Sequence, residues 1–496
     1  MRNLQVLRAC GAALVLVAGA GCKRQTSEPV TSGGTVATAE GPKQLAIGMS
    51  DPFQAPKGDA GKLLETAYAA LRNKKPQVAV AALQNVVNDT PDYTTARWAL
   101  IRALAALGRN DEIPAQYEQL IARDYVAYAN KLDSSKELAA LRASPAWAKV
   151  GDLKARYRSE YAKGLERGFF FVARTRAATE PQFDGDAVEA PLSLKQEVFH
   201  FDPDAKRYRR LTDSDGRVFA IDRAADGKSL LFLVAPRLHR EGGIDSFVDP
   251  RCGVIDLTTL ETVGPFVEKG RFDQVGLGAN KAGQPMFTFV VTSGASAAYT
   301  IDTARTGLAK LEGAAVIPDS GETRAWPNQV AHFEDKAVPG VKIEDGATQF
   351  TIDGIDQPVM AARPIAQSSL AWSPSKTRLT YAGKLDACKI LRGDKDGGGK
   401  ADKNELYVYD KTRHSAQRVA AAVSPFETLW IDDDRLVYEG GVGKNGQIHI
   451  YLFASHVDSS LTTHHGAGLY GVPTLACEQA ESGIDEDIGD EESQGD

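Results

Sequence analysis

The stretch Leu370-Ala-Trp372-Ser373-Pro374-Ser-Lys-Thr-Arg-Leu-Thr-Tyr381 reads as a strand, a tight turn and a second strand. The same theme recurs at Phe219-Ala-Ile-Asp-Arg-Ala-Ala-Asp226-Gly227-Lys228-Ser-Leu-Leu-Phe232 and at Leu429-Trp430-Ile-Asp432-Asp-Asp-Arg-Leu-Val-Tyr438. Further strand pairs lie beside them: Val198-Phe-His-Phe-Asp202 with Tyr208-Arg-Arg-Leu-Thr212, and Leu406-Tyr-Val-Tyr-Asp410 with Gln417-Arg-Val419. From Gly168 to Leu475 short β-branched and aromatic runs alternate with turn residues, and helical periodicity is nearly absent, so this part is all-β.

These repeats resemble the blade motif of TolB-like β-propellers, in which a strand ending in Trp-Ser-Pro-Asp-Gly-Lys turns into an apolar one. The resemblance covers residues 166–477, is clearest in the three quoted blades and is faint between Gly270 and Pro364. At roughly 45 to 50 residues per blade this length gives six or seven, of which six is our choice. The resemblance implies that Leu469 to Leu475 supplies a missing outer strand of the first blade and closes the ring, removing open sheet edges. A pair of β-sandwiches is the alternative architecture.

The region 60–165 differs. Ala, Leu, Tyr and Val fall at helical spacing from Lys62 to Arg123, with breaks at Lys74-Lys75-Pro76, Thr90-Pro91 and Gly108-Arg109-Asn110, predicting helix hairpins. Ala67, Ala79, Leu83, Val86 and Pro91, then Leu100, Leu104, Gly108, Ile113, Tyr117 and Leu120, resemble two copies of the tetratricopeptide pattern. Leu132 to Trp147, with Leu138 and Leu141, resembles the segment that caps such repeats. A helix rich in Lys, Arg and Tyr follows from Trp147 to Leu165; its basic face is either solvated or available to anionic lipid. The fold class is therefore multidomain: a tetratricopeptide-like helical domain, then a β-propeller, expected to be separable.

The ends carry the address. Arg2 and Arg8 flank the start of an apolar run, Ala9 to Ala20, that is too short to span a bilayer and ends in small residues. Gly19-Ala20-Gly21-Cys22 resembles the bacterial lipoprotein signal, so residues 1–21 are read as a signal peptide and Cys22 as the lipidated residue; a secretory signal with a chance Cys is the alternative. Lys23 after it favours, by the same resemblance, the outer membrane. Residues 22–59 read as a flexible tether reaching roughly 30 to 35 Å. Residues 478–496 hold nine acidic groups and no basic or aromatic residue, and are predicted to be a disordered tail.

With 43% hydrophobic and 25% charged residues the composition excludes wholesale disorder, collagen and a polytopic membrane protein. The net charge of -7 resides at the ends: the signal carries +2, the tail -9, and residues 22–477 balance. A neutral body has no footprint for phosphate backbones, which argues against nucleic acid. Once Cys10 leaves and Cys22 is acylated, Cys252, Cys388 and Cys477 remain, for which one disulfide and one spare thiol is the simplest outcome.

Chemistry-bearing motifs are few. Asp394, Asp396, Asp402 and Glu405 stand at positions 1, 3, 9 and 12 of an EF-hand-like calcium loop, with Gly399 at the bend and Lys400 contributing its carbonyl. Gly398 at position 5 removes a ligand, and a strand follows where a helix is usual, so a solvated Asp/Gly hairpin competes with calcium. Gly294-Ala-Ser296-Ala-Ala298 lacks the last Gly of a serine-hydrolase elbow. His332, His449, His456 and the pair His464-His465 form no metal spacing. No catalytic residue and no cofactor are assigned. The expected function is a non-enzymatic, lipid-anchored cell-envelope scaffold that engages protein or glycan partners. The alternative is a propeller-based metal-dependent hydrolase, lactonase-like, requiring acidic residues from several blades at one point.

Overall fold

The computed structural model describes residues 45–53, 56–174, 189–191, 196–214, 217–224, 227–241, 244–279, 284–291, 296–311, 330–332, 338–344, 346–366, 369–383, 405–421, 423–440, 446–462 and 467–469. It has a helical N-terminal region and a β-rich C-terminal region.

Two helix hairpins begin the helical region, Gly58–Arg72 with Pro76–Asp89 and Thr94–Ala106 with Ile113–Arg123. Pro76 starts its helix at a position that needs no N–H donor. Gly108, at φ +70°, ends the third helix, and its N–H and that of Arg109 return to the carbonyls of Ala105 and Leu104. Ala67, Ala79, Leu83, Val86, Leu100, Leu104, Ile113, Tyr117 and Leu120 are buried where these helices meet, whereas Pro91 is exposed. Leu132, Leu138 and Leu141 are fully buried and half-buried Trp147 packs against the same core. In the long helix Ala146–Lys163 four of the five basic residues bond within the chain: Lys154 to Asp133 at 2.6 Å, Arg156 to Glu118, Arg158 to the Thr259 carbonyl and Lys163 to Glu160.

The first β-sheet joins Phe169–Arg174, Gln196–Asp202 and Arg207–Arg210 antiparallel. A single parallel pairing, Gln196 with Arg217, links it to Arg217–Arg223, Ser229–Ala235, Arg251–Asp256 and Thr262–Val267. An accessory sheet takes Arg237–Glu241 and Ile244–Val248 from the connection inside that set, with Glu189–Pro191 and Arg271–Phe272 at its edges. Next comes a five-stranded sheet built on Gln274–Ala279, Pro285–Val290, Ser296–Ile301 and Leu308–Lys310, with Val330–His332 alongside. Three strands between Val341 and Met360 follow. Two four-stranded sheets end the series: Ala371–Trp372, Arg378–Ala382, Glu405–Asp410 and Ser415–Ala421, then Val423–Trp430, Arg435–Gly440, Gln447–Leu452 and Val457–Ser460. In both, neighbours in space are neighbours in sequence, as hairpin connections require.

The hairpins share one closing device. Oδ1 of Asp202, Asp256, Asp410 and Asp432 each accepts the N–H groups of the residues two and three positions on. A carboxylate in this Asx arrangement fixes the turn, so these acids are structural.

An end-to-start pairing forms at Gly468, one residue before the segment expected to supply it. Gly468 exchanges both backbone hydrogen bonds with Val172, at 2.8 and 2.9 Å. It therefore lies on the edge of Phe169–Arg174 away from Arg207–Arg210, the position that Ala371–Trp372 and Val423–Trp430 hold in their own sheets, and not on the fourth, outer edge. That outer edge is occupied instead from the N-terminal side: Met49 exchanges both backbone bonds with Tyr208 at 2.8 Å. Residues 470–475 lie outside the described residues.

Within the stretch read as tether, Leu45–Phe53 is packed. Met49 and Phe53 are 1% and 2% exposed, and Phe53 meets Phe199 and Tyr208 edge-on at 5.3 and 5.4 Å. Gly48 donates to the Ala122 carbonyl, which ties the segment to the helices as well. The sequence boundary at residue 165 also falls inside a common core: one apolar cluster runs from Leu64 through Tyr161 and Leu165 to Val172, Val198, Ile221 and Phe232. A polar seam accompanies it, in which Asp124 faces Arg210 at 3.1 Å, Lys131 faces Asp213 at 3.1 Å, and Tyr161 donates to the Arg210 carbonyl.

Candidate binding cleft

Where the first, second and last sets of strands meet the end of the helical region, a cleft of about 520 Å³ opens. Glu166, Arg167 and Gly168, which connect the long helix to the first strand, form one wall. Phe169, Phe170, Pro203 and Asp204 come from the first sheet, Ile221 to Arg223 and Leu230 from the second set, and Leu429 to Ile431 with Arg435 from the last. Leu469, one residue past the Gly468 pairing, completes the lining. The lining is thus made of strand ends and turns.

The connecting wall is held in place by the backbone. Gly168 has φ +96°, and a Cβ there would collide with the Phe201 carbonyl oxygen, so only glycine fits. The imidazole of fully buried His200 donates through Nε2 to the Arg167 carbonyl. Burial, and next the nearby Arg209, push this imidazole down to about 3, so it stays neutral. Its ring lies 5.1 Å from that of Phe170, and the Arg223 guanidinium stands 5.9 Å over the same Phe170 ring.

Charges in the cleft are balanced and largely engaged. Arg435 bonds Asp204 at 2.6 Å and Asp432 at 2.7 Å. Arg223 donates twice to the Gly227 carbonyl, and its own N–H is accepted by Asp222 Oδ1. Trp430 turns its indole N–H away to the Ala371 carbonyl.

Other singled-out residues lie elsewhere. Of the calcium-loop candidates only Glu405 is described; Tyr407, then Arg418, hydrogen-bond its carboxylate and hold it below the ordinary range. Asp394, Asp396, Lys400 and Asp402 lie outside the described residues, as do Cys22, Cys388, Cys477, His464, His465 and the side chains of Ser296 and His332. His449 faces Asp458 at 3.4 Å and His456 bonds the Tyr451 hydroxyl. Cys252 is fully buried and unpaired, and burial raises its thiol. Among the described residues no three His, Cys, Asp or Glu side chains gather as a metal site. No helix of the described residues is long and apolar enough to cross a membrane. The cleft residues are scattered over some 300 positions, and only the turn acids of the strand repeats hinted at them.

No protein-family model and no curated protein matches the chain. Among solved structures it is similar to TolB from Acinetobacter baumannii, with 11% identity and a TM-score of 0.31 over 69% of this chain and 74% of that one. It is similar to the β-propeller domain of the Trilobed protease from Pyrococcus furiosus, with 13% identity and a TM-score of 0.22 over 60% and 86% of the two chains. A proposed 6-phosphogluconolactonase from Bacteroides fragilis aligns with 12% identity and a TM-score of 0.31 over 62% and 97%. Likenesses this distant pass no substrate, partner or activity to this chain.

Proposed function

We propose that this chain is a lipid-anchored cell-envelope binding protein, non-enzymatic, in which a tetratricopeptide-like helical region and a six-bladed TolB-like propeller present surfaces to protein or glycan partners. The observation that carries the reading is the Val172–Gly468 pairing: this isolated bridge brings the chain's last described residues to its first strand, as a ring of blades requires, and the cleft opens at that meeting point. Concave sites with a few convergent polar groups are the ordinary form of a binding site. Acylation at Cys22, behind a tether, would hold the body at the membrane, with the outer membrane favoured by Lys23.

A photo-crosslinking side chain placed at Arg167, in the cleft wall, or at Val78, on the exposed helical surface, tests the reading in intact envelopes. The expected result is a discrete adduct from at least one site in the membrane fraction, lost when Cys22→Ala releases the protein. Absence of any adduct from both sites overturns the binding role. A Cys22→Ala protein that still fractionates with membranes overturns the anchor.

A further inference from the structure

Resting on the reading of the cleft as a binding site, we infer that its ligand is a neutral carbohydrate, a mono- or disaccharide unit of a glycan. The volume of about 520 Å³ is that of a small-molecule site. A folded protein partner needs on the order of 800 Å² of its surface covered, which a recess of this size does not offer. A peptide that binds by strand addition needs a free strand edge for its backbone. Here the lining is turns and strand ends, so side chains and not an open backbone ladder face the ligand.

Charge narrows the class further. Glu166, Asp204 and Asp222 are matched by Arg167, Arg223 and Arg435, so the cleft has no excess of either sign to draw in an anion or a cation. A wholly apolar ligand would strip water from these ionised groups without replacing its hydrogen bonds. A sugar hydroxyl both donates and accepts, and can serve a carboxylate and a guanidinium side by side through charge-assisted bonds. The C–H face of the sugar ring needs an apolar wall, which half-buried Phe170 and Pro203 supply. Phe170 is flanked by the His200 ring at 5.1 Å and by the Arg223 guanidinium at 5.9 Å.

The test is an array of neutral and acidic oligosaccharides probed with the purified full chain, with titration of each hit by calorimetry. A neutral saccharide should bind, and Arg167→Ala, Asp204→Asn and Phe170→Ala should each weaken it about tenfold or more. Arg167 is exposed, so its replacement leaves folding intact, and Met360→Ser, at an exposed position outside the cleft, should change nothing. Preferential binding of acidic sugars, or neutral binding indifferent to all three cleft variants, overturns the inference. No saccharide binding while Arg167 still crosslinks an envelope partner overturns the carbohydrate assignment alone. Loss of both overturns the binding role with it.

Discussion

The indole N–H of Trp430 donates to the Ala371 carbonyl at 3.0 Å, from one four-stranded sheet to the sheet before it. Trp372, the matching residue of the preceding repeat, donates in the same way to the Pro339 carbonyl at 2.9 Å. Asp433 reinforces the same joint by accepting the Ser375 N–H at 3.0 Å. The tryptophan that marks the repeat in sequence is therefore a staple between successive sheets, not only a core residue.

Trp430→Phe should keep most of the apolar packing and lose the staple, costing about 1 kcal/mol, whereas Trp430→Ala should cost about 3 to 5 kcal/mol. Denaturant unfolding followed by circular dichroism reads both. Equal losses for the two variants would show that the hydrogen bond outweighs the packing of the ring.

The packed segment Leu45–Phe53 should matter for stability although it lies in a polar N-terminal stretch. Phe53→Ala removes a fully buried ring and is expected to cost about 3 to 5 kcal/mol, while truncation before Leu45 should leave the melting temperature nearly unchanged. A melting temperature indifferent to Phe53→Ala would remove the segment from the fold.

Glu197 and His200, three residues apart on one strand, should give opposing pH dependences. Burial raises the Glu197 carboxyl to about 7, against the Thr212 hydroxyl and the Ser214 N–H that hydrogen-bond it. Its stabilising contribution is present below the unfolded value near 4.5 and is lost as pH rises through 7. His200, lowered to about 3 from 6.5, contributes stability above 6.5 that is lost as pH falls towards 3. Between pH 4.5 and 6.5 the two cancel. Glu197→Gln should therefore make stability climb with pH across that window, and His200→Gln should make it fall. Parallel slopes in wild type and both variants would refute the assignment.

Gly168→Ala should both strain the backbone and push the connecting wall off Phe201, a loss of several kcal/mol that exceeds the usual cost of a surface substitution. Gly151→Ala, in the middle of the long helix with open space around its Cβ position, should instead stabilise by about 1 kcal/mol. Thermal unfolding of the pair distinguishes the two glycines, and similar shifts would contradict the difference in their surroundings.

Local patterning was enough to separate a helical N-terminal region from a β-rich C-terminal one and to mark the clearest strand pairs. The small and apolar spacing of Ala67, Leu83, Leu100 and Tyr117 announces helix hairpins, and the Trp372 and Trp430 turns announce repeated strand pairs, because both periods are written between residues a few positions apart. Tertiary structure decided what no local period encodes. Gly468 meets Val172, Met49 meets Tyr208, and Arg435 meets Asp204 across more than 150 residues each, and each partner is chosen by which sheet edge or charge is left unsatisfied when the sheets assemble. The cleft belongs to this second kind, since Phe170, Arg223 and Trp430 look like ordinary strand-end residues until three parts of the chain bring them around one opening.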